Sequence, residues 1–240
     1  MNCPTRKKWL YFIISFIIIV SSSYSTAIAG NKDYIDRIGD GISNSFDRPA
    51  ALAITAGGIA GLSYFDSYVQ SRFQGKLMPE PVSQMADLYG EGVNLLLGNA
   101  YILTEYWTSD RPRPEFEDRL QIFNETMVTN AAITFAVKLM VKRDRPGHQN
   151  RRSFPSGHTS GSFAAATALN QLYGPRIGIP AYSMAVITGM QRIHSNWHWF
   201  SDVLTGAALG TLIGLGFSEL IDEKPEQQKG PVLVNINFTF

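Results

Sequence analysis

Cysteine is almost missing from this sequence. Cys3 is the single cysteine among 240 residues, so no disulfide can close within the chain. Its place in a cleavable N-terminal segment also removes thiol catalysis and cysteine-ligated metal from the mature protein. Stability has to come from packing. Uncharged runs long enough for an ordinary bilayer span are missing too: residues 50–65, 159–175, 177–191 and 203–218 give 15 to 17 residues each, against the ~20 such a span uses. These runs fit a compact exported domain and a tilted, marginal membrane bundle alike. A surplus of either charge is also lacking, with 21 basic and 20 acidic side chains, which argues against a nucleic-acid partner.

What the N-terminus does contain is an address. Arg6, Lys7 and Lys8 precede an apolar run from Leu10 to Val20, and Ala27-Ile28-Ala29 closes the segment; these are the three parts of a secretory signal peptide. Cleavage after Ala29 takes three positive charges and no acid, leaving 18 basic against 20 acidic residues and a net charge of −2. The expected organisation is a signal peptide over 1–29, one helical domain over 30–230 and a strand-like tail over 231–240. The mature part is expected in the periplasm, free, membrane-associated or embedded with its active site facing that side.

Helical spacing dominates the rest. Ile35, Ile38, Ile42 and Phe46 form one face of a short amphipathic helix that either docks on the core or lies on a membrane. Apolar, small-residue sequence over 50–65 predicts a second helix after Pro49. A third is expected over 82–107, buried through Val93, Leu96, Leu97 and Ala100 and ended by the prolines at 112 and 114. Further helices are expected over 124–142, 156–173 and 181–192, the last opened by Pro180, and from about Asn196 through Phe217. The fold class is therefore all-α, a bundle of about six or seven helices with the active site at one end. Val234, Ile236, Phe238 and Phe240 alternate with polar residues in strand fashion.

Three segments carry chemistry. In the first, Lys138 and Arg145 stand seven apart, two helical turns, and present two cations on one side if the helix persists to Pro146. Asp-Arg-Pro occurs three times, ending at Pro49, Pro112 and Pro146, but Gly41 and Thr104 fill the place of the lysine in the other two. The second segment is Pro155-Ser156-Gly157-His158, just before a helix rich in small residues. A hydroxyl and a closely approachable backbone amide there suit an anion, with His158 at the entrance. The third runs from Gln191 to Asp202: Ser195 or Asn196 can cap a helix whose first turn holds His198, and Asp202, four residues on, shares its face and can orient the imidazole.

Lys-x6-Arg-Pro, Pro-Ser-Gly-His and Arg-x5-His-x3-Asp, in that order, resemble the superfamily of type 2 phosphatidic acid phosphatases, bacterial acid phosphatases and vanadium haloperoxidases. The resemblance implies a phosphatase working through a phosphohistidine. Lys138, Arg145, Arg192, Ser156 and the Gly157 amide would bind the phosphoryl oxygens. His198 would be the nucleophile, Asp202 its support, and His158 the acid for the leaving oxygen. No cofactor or metal is expected, since three cations and a helix N-terminus already face the phosphoryl oxygens. Gln191 departs from the family, which usually has serine before this arginine, and His194 has no role in the motif.

The expected substrate is a phosphorylated lipid, such as phosphatidate, a prenyl pyrophosphate or a lipid A phosphate, with membrane contact through the amphipathic and apolar helices. The alternatives are a broad acid phosphatase on soluble esters and a vanadate-dependent haloperoxidase. Nothing in the sequence fixes the oligomeric state.

Overall fold

A computed structural model of the chain describes residues 32–49, 61–109, 112–148 and 150–221. The expected signal peptide, most of the run after Pro49 and the expected C-terminal strand lie outside these residues. The described part is all-α. Its helices are α1 (Lys32–Phe46), α2 (Asp66–Phe73), α3 (Glu80–Leu88), α4 (Asn94–Thr108), α5 (Arg113–Val141), α6 (Gly157–Tyr173), α7 (Pro175–His194) and α8 (Phe200–Ser218).

α6 is the centre of the bundle, packed against α5, α7 and α8. Its Ala164, Ala165, Ala166 and Ala168 are fully buried, and their small side chains let neighbouring helices come close. The approach is tightest at Gly210 of α8, where an added Cβ would lie 2.1 Å from the Ser160 carbonyl oxygen. With backbone against backbone, the N-termini of α6 and α8 come to the same end. The Ser156 amide donates to the Asp202 carbonyl at 3.0 Å, which fixes their register there.

α5 buries Leu120, Ile122 and Phe123 in its first half, but its second half is turned inside out relative to a helix of an ordinary water-soluble bundle. Its buried positions include Glu125, Thr126, Thr129, Asn130 and Thr134, while Val128, Phe135, Leu139 and Met140 are exposed. Two of the buried polar groups pair with α6: Ser160 donates to Asn130 Oδ1 at 2.5 Å and lies 3.1 Å from the Thr134 hydroxyl. α4 behaves likewise. Asn94, Gly98 and Ile102 are its buried residues, whereas Leu97, expected inside, is 56% exposed and Ala100 is exposed as well. Exposed apolar residues thus crowd the outside of α4 and of the C-terminal half of α5, where a search for an apolar inward stripe selects the wrong face.

Other expectations shift for local reasons. The 82–107 helix is interrupted by a π-turn, Tyr89–Val93, with Gly92 at φ 136°, a conformation that favours glycine. Pro112 and Pro114 open α5 rather than only ending α4, because proline is tolerated in a first turn. α7 begins at Pro175 and carries Pro180 within its length. α1 takes the first of its two expected settings and docks on the core: Ile38 packs with Ile122, Ile213 and Phe217, and Arg37 pairs with the buried Glu125 at 3.4 Å.

Candidate active site

Lys138 sits in the last turn of α5, and helical periodicity does not carry the chain from it to Arg145. The helix stops at Val141, Lys142 turns left-handed at φ 50°, and Arg145 lies in the loop beyond. The loop, not the expected seven-residue helical spacing, puts the two cations together. It closes on itself through Arg145 N–H to the Asn150 carbonyl at 3.2 Å and Ser153 N–H to the Arg143 carbonyl at 3.0 Å. Arg145 is then held from three sides. Its Nε donates to Asn150 Oδ1, its Nη1 donates to the Trp197 carbonyl, both at 2.9 Å, and its guanidinium lies 4.8 Å from the Trp197 ring centre. Lys138 Nζ donates to the carbonyls of Arg152, Ser153 and Pro155.

α6 starts one residue after Ser156, as expected, but the Ser156 hydroxyl is fully buried and engaged with Thr159 Oγ1 at 2.9 Å. The Gly157 amide stands at the open N-terminus beside Lys138, whose Cε lies 3.7 Å from where a Cβ on that glycine would be. His158 follows in the first turn.

The third segment is built differently from the helix start expected of it. Ser195 ends α7 and Asn196 takes φ 58°, so α8 begins only at Phe200, with Trp199 as its N-cap. His198 therefore lies in the turn before α8 rather than within its first turn. It is 2% exposed, with its backbone N–H on the Arg192 carbonyl at 3.2 Å. Asp202 caps α8 by accepting from Trp199 N–H at 2.9 Å, and the same Oδ2 stands 3.8 Å from His198 Nδ1. That separation is a charge contact longer than a hydrogen bond. His198 Nε2 faces Arg145 Nη1 at 3.2 Å.

Burial drives His198 to a pKa of about 4; Asp202 opposes the shift, and Lys138 and Arg145 add to it. Lys138 is lowered to about 8, first by burial and then by Arg145. His158 is lowered by burial and by the charges of Arg192, His198, Arg145 and Lys138. Five side chains from three segments thus share one electrostatic space, in which Lys138 and Arg145 lower both histidines.

Sequence reasoning missed the groups behind the site. Asp202 and Asp66, both buried, share one guanidinium: Arg143 Nη1 donates to Asp202 Oδ1 and Nη2 to Asp66 Oδ2, each at 2.7 Å. Ser153 donates to Asp202 Oδ2 at 2.5 Å, and Ser201 donates to Asp66 through its amide at 2.8 Å and its hydroxyl at 2.6 Å. Asp66 is remote in sequence, and Arg143 reads as one more charge in a basic loop. Gln191, in place of the usual serine, ties α7 to α3 by donating to Ser83 Oγ at 3.3 Å, and it also donates to Ser195 Oγ at the end of its own helix at 2.6 Å. His194 is a packing residue, accepting from Leu77 N–H at 3.2 Å.

Among the described residues, Asp87, Glu91 and His158 bring metal-type ligand atoms within 4.8 Å of one another. Asp87 Oδ1 is already 2.5 Å from Arg192 Nη2, so a guanidinium stands where a metal would compete for that oxygen.

Comparison with known proteins agrees with this fold. The model of the PAP2 superfamily matches residues 92–225. The chain is 45% identical over 96 residues to the lipid A 1-phosphatase of Porphyromonas gingivalis, covering 38% of this chain and 22% of that protein. It is 32% identical over 122 residues to lipid phosphate phosphatase 2 of Arabidopsis thaliana, covering 43% and 39%. These matches span about a fifth to two fifths of the curated relatives' length. The crystal structure of a transmembrane PAP2 type phosphatidylglycerolphosphate phosphatase from Bacillus subtilis superposes with a TM-score of 0.59 at 20% identity, over 78% of this chain and all of that one.

Proposed function

Because this chain belongs to the PAP2 superfamily, we propose that it is a phosphatase that cleaves the phosphate ester of a lipid, without a metal, outside the cytoplasm. One observation carries the reading: the cations Lys138, Arg145 and Arg192 converge on the buried His198 and the half-buried His158 at the open end of α6. Such a site is complementary to a phosphoryl group, whose charge is spread over three equatorial oxygens in the transition state.

His198 Nε2 attacks phosphorus, and the bond from phosphorus to the leaving oxygen breaks as His158 gives that oxygen a proton. A pKa of about 4 leaves the His198 imidazole neutral and nucleophilic at neutral pH. Nδ1–H then closes on Asp202, whose charge stabilises the ring as it becomes positive. Arg145 moves from Nε2 onto a phosphoryl oxygen, and Lys138, Arg192 and the Gly157 amide take the others. In the second step His158 takes a proton from water, water attacks phosphorus, and the N–P bond breaks to return His198.

The lipid part of the reading rests on the outer surface and on the names of the relatives. Trp107 and Met140 are each 81% exposed and Ile179 65%, and such apolar surface is stable against hydrocarbon rather than water. Phe200–Ser218 is the described helix long and apolar enough to cross a membrane, with half of that stretch buried in the bundle. Exposed α5 and α4 faces of the same character support membrane association.

Phosphate release from detergent-dispersed lipid monophosphates and from soluble monoesters, by wild type and by His198→Ala, tests the proposal. A lipid preference lost entirely in the variant is expected. Equal rates on both classes, or activity in His198→Ala, would overturn it.

A further inference from the structure

His158 is the least explained group in this site. Arg192, His198, Arg145 and Lys138 surround it, and every one of them disfavours the imidazolium that a proton donor must carry. Its Nε2 is buried and makes no hydrogen bond. Across from that atom, at 3.6 Å, stands Asp87 Oδ1. Glu91 is the other acid facing the ring, from the π-turn that follows α3. The same Asp87 oxygen accepts from Arg192 Nη2 at 2.5 Å, and the Arg192 side chain is only 4% exposed. The backbone holds this arrangement tightly, because a Cβ on Gly90 would lie 2.8 Å from both Cβ and Cδ2 of His158.

We propose that Asp87 is a positioning residue for the leaving-group side of the reaction, bridging the phosphate-binding Arg192 to Nε2 of His158. The inference rests on the phosphatase reading given above. In the imidazolium, Nε2–H points to the Asp87 carboxylate and Nδ1–H is free for the leaving oxygen. As the P–O bond breaks, the Nδ1–H bond breaks and the leaving O–H forms, so the ring ends neutral with its remaining proton on Nε2. That tautomer keeps Nδ1 as the base for the hydrolytic water. Asp87 thereby stands to His158 as Asp202 stands to His198, and the two carboxylates fix opposite ends of one displacement. It also explains why the π-turn is placed here: it seats α3 and its acid over the mouth of the site, a common setting for such insertions.

Asp87→Asn and Asp87→Glu in the full-length protein test this by two independent readouts. The first is NMR titration of the His158 ring, which needs no turnover. Removal of a carboxylate at this distance moves protonation of His158 to lower pH by about one pH unit in Asp87→Asn, with Asp87→Glu restoring most of it. The second is single-turnover phosphorylation of an alkyl phosphate and of an aryl phosphate with a good leaving group. Asp87→Asn should lose about 10²-fold on the alkyl ester and several-fold or less on the aryl ester. An unchanged His158 titration overturns the proposal. So does an equal loss on both esters, expressed only as a higher KM, since that is the signature of Arg192 positioning alone. A wild-type protein inactive on every phosphate ester would sink the phosphatase reading instead, while the titration still decides whether Asp87 holds His158.

Discussion

Arg143 should be among the most costly single charges to remove outside the groups that meet phosphate. Its guanidinium is 29% exposed, and it neutralises two carboxylates whose side chains are 5% and 0% exposed, Asp66 and Asp202. Breaking a buried ion pair from one side costs ~3–5 kcal/mol, because the remaining charge is left in a low-dielectric setting. Partial exposure of Arg143 argues for the lower end, about 3 kcal/mol. Arg143→Met, which keeps much of the stem's bulk, should therefore lower the melting temperature by about 6–12 °C for a domain of this size. Asp66→Asn alone should cost less, about 1–3 kcal/mol, through its lost bonds to Ser201. The double variant decides the reasoning. With Asp66 made neutral, Arg143→Met strands one buried carboxylate rather than two, so the double loss should fall short of the sum by at least ~1 kcal/mol. Chemical denaturation of the four proteins in one detergent measures this. Strict additivity, or an Arg143→Met protein within about 0.5 kcal/mol of wild type, would refute the network.

Other consequences follow from the same geometry. Lys138 titrates at about 8, so kcat/KM should fall as pH rises through that value and the lysine loses its charge; in Lys138→Arg the limb should move well upward. His198 is neutral in the folded protein down to about pH 4, whereas in the unfolded chain it takes a proton near 6.5. The unfolded state thus binds more protons between those values, and stability should drop by on the order of 3 kcal/mol as pH falls through that window. His198→Gln should flatten this dependence in denaturation midpoints taken from pH 7 to 4. Gly210→Ala should separate α6 from α8 and cost ~1–3 kcal/mol, with a larger proportional loss in turnover than in substrate binding, because the helix starts holding Gly157 and Asp202 would move apart.

The sequence made the site legible and its scaffold only partly so. Lys138, Arg145, His158, Arg192, His198 and Asp202 converge even though the local geometry expected for two of the segments is different. Motif spacing records which residues meet, not how the backbone brings them there. A left-handed Lys142 folds the loop that delivers Arg145, and a left-handed Asn196 keeps His198 out of α8; neither has a strong signal, since both are non-glycine residues at positive φ. The inward faces of α4 and α5 were unreadable for another reason. Their buried Asn94, Thr126, Thr129 and Asn130 carry no apolar signal, while Leu97 and Phe135 face out, so at these positions the usual link from apolar to buried is inverted. Asp66, Asp87 and Arg143 belong to no motif, and only tertiary distances single them out.

The central claim is that His198 takes the phosphoryl group. Wild-type protein quenched in base during turnover of a radiolabelled lipid monophosphate, then digested and mapped, should carry acid-labile phosphate on the peptide containing His198, with none on that peptide in His198→Ala. Label on His158 or on any other residue, or full turnover with no covalent phosphate formed, would contradict the account.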